Sequence, residues 1–111
     1  MAKDSFLVNI SPLQVKKIIE KESNLDNFDC DEYDLGNGKN IIVIILEKYY
    51  WRNSSRAGLV VVCDNVKNEN TLVKVTSTGS SEGIIFSFDW GAGENFVNLI
   101  KSILVDYIVE N

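Results

Sequence analysis

The chain reads most clearly through its apolar spacing. From Ser5 to Ile10, Phe6, Val8 and Ile10 share one parity, which predicts a first strand. Ser11-Pro12-Leu13-Gln14 then marks a helix start, with Ser11 at the N-cap, Pro12 at the first helical position and Gln14 placed to complete a capping box. That helix is expected to run to about Glu22, burying Val15, Ile18 and Ile19, with Lys16, Lys17 and Lys21 outward and Asn24 as a left-handed stop. A second strand follows from Phe28 to Leu35. Phe28 and Cys30 share one parity and Tyr33 and Leu35 the other, so a bulge is predicted near Asp31-Glu32. Gly36-Asn37-Gly38 predicts a hairpin, with Asn37-Gly38 suited to a type I′ turn.

The next two strands differ in kind. Asn40 to Arg52 is apolar on both faces from Ile41 to Leu46, and Arg56 to Asp64 is apolar on both faces from Leu59 to Cys63. Asn53-Ser54-Ser55 turns the chain between them. A fifth strand is expected from Thr71 to Thr78 and a short sixth from Ile84 to Phe88. In the last segment Phe96, Val97, Leu99, Ile100, Ile103, Leu104, Tyr107 and Ile108 recur at i, i+3, i+4, i+7, which predicts a long C-terminal helix.

The elements make an α+β domain spanning residues 1–111. Its expected order is strand, helix, four or five antiparallel strands and a long C-terminal helix, with a curved sheet carrying both helices on one face. In element order it resembles the TATA-binding-protein-like and helix-grip folds, a likeness that carries no function with it. Two helices cover one face of a sheet, yet the third and fourth strands are apolar on both. The uncovered side is therefore expected to meet a second copy of the chain near Ile42, Ile44 and Val60, or to curl around a cavity.

Charge narrows the partners. A net charge of −5 without a basic patch disfavours nucleic acid and anionic membrane. No run approaches about 20 apolar residues, and MAKDSFLVNI lacks a signal-peptide pattern, so a cytoplasmic protein is expected. The absence of His leaves no histidine base and no Cys/His zinc site. Twelve Asn and twelve Ile against two Arg suggest an AT-rich, bacterial source.

Two stretches could carry chemistry. Thr78, Gly79, Ser80 and Ser81 form one Gly/Ser loop; Asp89, Trp90, Gly91 and Gly93 form a second at a helix start, where bare amides could receive a small anion. Against that reading, Asp89 and Glu94 already bring negative charge there, and neither loop holds a phosphate-binding lysine. Around the hairpin tip, Tyr49, Tyr50, Trp51, Arg52 and Arg56 have the composition of an interface hot spot. Cys30 and Cys63 read as buried, inert thiols. Asp29, Asp31, Glu32 and Asp34 read as the solvated face of an edge strand, and their spacing does not match a calcium loop. No catalytic residue, metal ligand or cofactor is assigned.

LEKYYWRNSSRAGLVVVCDN (Leu46 to Asn65) together with TGSSEGIIFSFDWGAGENF (Thr78 to Phe96) resembles a family of short bacterial proteins described as a domain of unknown function. The resemblance implies no activity or cofactor. The sequence thus points to a non-enzymatic interaction module that forms a homodimer. The alternative is a helix-grip-type module binding a small apolar or anionic ligand.

Overall fold

The computed structural model describes residues 3–23, 27–50, 55–79 and 92–109, with the backbone alone at 27, 48–50, 55–57, 78–79 and 92–96. Its order is β1 (Lys3–Val8), α1 (Pro12–Glu22), β2 (Asn27–Gly36), β3 (Lys39–Tyr50), β4 (Ser55–Asp64), β5 (Thr71–Gly79), α2 (Ala92–Ile103), a 3₁₀ turn (Val105–Tyr107) and β6 (Ile108–Val109). The strands form one curved antiparallel sheet in the order β2-β3-β4-β5-β1-β6. The expected α+β class holds. The expected strand Ile84–Phe88 lies outside the described residues.

Local chemistry sets the element boundaries. The α1 capping box is complete: Gln14 N–H donates to Ser11 Oγ at 3.2 Å and Ser11 N–H to Gln14 Oε1 at 2.9 Å. The helix closes at Ser23, whose N–H reaches Ile19 O; Asn24, the expected stop, lies outside the described residues. Asn37 and Gly38 both have positive φ, 56° and 77°, the type I′ geometry that Asn-Gly favours. Ile10 falls outside β1, which ends at Val8: Asn9 N–H turns to Tyr107 O, and Ile10 O accepts the Thr71 hydroxyl.

Phe6, Val8, Ile42, Ile44, Leu46, Leu59, Val61, Cys63, Val73 and Val75 line one face of the sheet. Val15 and Ile19 of α1 and Val97 and Ile100 of α2 complete the core with Leu104, so both helices pack on this side.

Three expectations are corrected. The β2 register runs without a break from Asn27 to Asp34, and its shift falls between Asp34 and Gly36 rather than at Asp31-Glu32. Glu32 consequently sits on the helix side, which it tolerates at the sheet edge because Lys16 Nζ reaches its Oε2 at 2.7 Å. Ile42 and Ile44 are core residues, 2% and 0% exposed; Ile41, Val43 and Ile45 take the outer face instead.

The C-terminal helix is also shorter than predicted. It ends at Ile103, and Ile108–Val109 pair with Val8 and Leu7 of β1. A 3₁₀ turn keeps an i, i+3 spacing, so Leu104 and Tyr107 stay on the core side while the backbone leaves the helix to pair with β1.

Candidate interaction face

Register places the outer-face residues in rows across the sheet, because directly paired residues share a face. One row is Tyr33, Ile41, Asp64, Leu72, Leu7 and Val109. The second is Asp31, Val43, Val62, Lys74 and Ser5, and the third Asp29, Ile45, Val60, Thr76 and Lys3. Six aliphatic side chains thus adjoin across β3, β4 and β5, with Leu7 beyond them on β1. Ile45 is 45% exposed and Tyr33 52%, whereas the core rows behind them are sealed.

Charge flanks this strip unequally. Asp29 and Asp31 stand on β2; Lys74 and Lys3 stand on β5 and β1. Asp29 Oδ1 accepts the Cys30 N–H at 2.9 Å, and Asp64 Oδ1 accepts the Val66 N–H at 3.1 Å. Asp31, Lys3 and Lys74 join no ion pair among the described residues. Sequence reasoning missed Leu7, Val43, Val62, Leu72 and Lys74 as members of one surface. Two-sided apolarity announced such a surface without saying which parity forms it.

The expected hairpin forms, with Tyr49 paired to Arg56 and Tyr50 to Ser55. It extends the β3–β4 seam; Trp51 and Arg52 lie outside the described residues. Thr78 and Gly79 end β5, and Gly93 lies in α2. Ser80, Ser81, Asp89, Trp90 and Gly91 lie outside the described residues, and with them most of the two expected loops.

The thiols sit on the helix side. Cys63 is fully buried, with Sγ 3.7 Å from Ile42 O and 3.9 Å from Pro12 O, and burial pushes its pKa up to about 12. Burial also raises the Cys30 thiol, with Lys16 opposing. A nucleophile needs the thiolate, so neither position favours covalent chemistry. In the acidic cluster, Asp34 Oδ1 accepts the Gly36 N–H at 2.8 Å and Glu32 is held by Lys16. Among the described residues no helix is long and apolar enough to cross a membrane.

A family model described as a family of unknown function, DUF6054, matches residues 1–108. No curated protein and no solved structure matches the chain, so the likeness to TATA-binding-protein-like and helix-grip folds remains one of element order.

Proposed function

The chain belongs to the DUF6054 family, whose function is unknown, and we propose that it is a self-associating interaction module that buries the outer face of its sheet against a second copy. The observation that carries this reading is the continuous aliphatic strip of Leu7, Ile41, Val43, Ile45, Val60, Val62 and Leu72 on the side away from both helices. Contiguous apolar patches beyond a few hundred Å² are rare on soluble monomers and mark contact surfaces. A net charge of −5 turns the module away from nucleic acid and anionic membrane and toward protein. The paired strands at Tyr49 and Arg56 prolong the same seam, and the sequence there has the aromatic and arginine composition of an interface hot spot.

Light scattering tests the reading. The wild-type chain of 12.5 kDa should give about twice that mass at about 100 µM. Val62→Glu, central on the strip and remote from the helices, should return the mass to that of one chain while leaving the near-UV circular dichroism unchanged. A wild-type mass of a single chain at that concentration overturns the proposal.

A further inference from the structure

Resting on that reading, we infer how the two copies meet: about a two-fold axis parallel to the strands, over the seam between β3 and β4, with Asp31 of each copy facing Lys74 of the other.

A dimer of identical faces is isologous, so stacking two sheets face to face requires a two-fold axis lying between them. An axis across the strands would lay each strand over its own counterpart. β2 would meet β2 and β5 would meet β5, and with the axis on their shared row Asp31 and Lys74 would each face its own copy. Like charges in direct opposition disfavour a complex by several kcal/mol. An axis along the strands does the reverse: it exchanges columns and keeps rows.

Centring that axis on the β3–β4 seam follows from the apolar residues. There Val43 of one copy lies over Val62 of the other, and Ile45 over Val60, which gathers four aliphatic side chains from each copy around the axis. The same operation carries β2 over β5. Asp31 and Lys74 share a row with Val43 and Val62, so each aspartate arrives over a lysine of the other copy. Tyr33 arrives over Leu72 by the same rule, and Asp64, whose carboxylate accepts the Val66 amide, arrives over Ile41 in the end row of the strip.

The dimensions permit it. Packed sheets lie about 10 Å apart, a gap that a lysine and an aspartate close together. Stacked sheets cross at about 30°, and at roughly 7 Å from the axis this displaces the charged pair by only about 4 Å. Four strands about 4.8 Å apart and about 33 Å long offer roughly 600 Å² of plane per copy, near the ~800 Å² per partner of stable interfaces. Both charged residues are exposed and free of ion pairs among the described residues, so each is available to the other copy.

Charge reversal reads the geometry. Asp31→Lys alone and Lys74→Asp alone each put like charges in both symmetry-related pairs and should weaken self-association by about tenfold or more. Mixed together, the two variants present opposite charges in both pairs. Native mass spectrometry with one variant isotope-labelled should then show the mixed dimer in large excess over either homodimer. The double variant Asp31→Lys/Lys74→Asp keeps opposite charges facing about this axis but sets like charges face to face about an axis across the strands, and it should dimerise as the wild type does. A folded double variant that stays monomeric overturns this axis. Melting curves check that each variant is folded; Asp31→Arg or Lys74→Glu replaces one that is not. A statistical mixture of dimers, or weakened variants that fail to rescue each other, overturns this axis and leaves self-association standing if the wild type is dimeric. A monomeric wild type overturns both.

Discussion

Cys63 shows how a single residue reports its surroundings. Its thiol lies in the sealed layer between sheet and helices, and burial lifts its pKa from 9.0 to about 12. An acid whose native pKa is raised keeps its proton where the unfolded chain has lost it. Its contribution to stability is therefore complete below pH 9 and drains away as pH climbs toward about 12. Urea unfolding of the wild type should lose stability over that window faster than Cys63→Ala does. The comparison cancels the tyrosines, which titrate in both proteins. Parallel slopes would mean that Cys63 reaches water. The 0% exposure of its side chain argues against that outcome.

Among the elements, α2 and the turn after it bear most on folding. Val97, Ile100 and Leu104 are at most 3% exposed, and Ile103, Tyr107 and Ile108 pack against the same cluster. Burying each such side chain is worth about 1.5–3 kcal/mol, and the sum rivals the ~5–15 kcal/mol net stability of a domain. Ending the chain at Gly91 also removes β6 and so leaves Leu7 and Val8 of β1 without their pairing partners on that side. Such a truncation should lose its cooperative melt and near-UV signal; a native-like transition would contradict the core assigned here. Lys101 adds a lesser tie to β1, with Nζ 3.4 Å from Asp4 Oδ2 and 5.9 Å from the centre of the Phe6 ring. Exposed pairs of this kind contribute about 0–1 kcal/mol.

For the whole molecule, the asymmetry of the sheet matters most. One face is closed by two helices while the other keeps an aliphatic strip bordered by acids on β2 and lysines on β5 and β1. If a second copy closes that face, folding is linked to association and stability depends on concentration. The melting temperature should rise as protein concentration increases from about 1 µM to about 100 µM, and Val62→Glu should remove the dependence. A concentration-independent wild-type melt would count against the dimer.

Much of this organisation is local and was legible along the chain. The capping box at Ser11 and Gln14, the Asn37-Gly38 turn and the two-sided apolar strands each depend on neighbours within a few residues. Those features determine the elements and announce that one helix-bearing face is not enough. Which parity of β3 faces inward was not legible, because a strand apolar on both sides carries the same pattern either way. Pairing with β2 and β4 decided it, placing Ile42 and Ile44 in the core and Ile41, Val43 and Ile45 outside. The end of α2 escaped for a related reason: helical spacing continues through a 3₁₀ turn, and only the open edge of β1, about 100 residues earlier, draws Ile108 and Val109 into the sheet. The row that joins Asp31 to Lys74 likewise spans four strands. Its alignment is a product of register across the sheet, which tertiary structure alone sets.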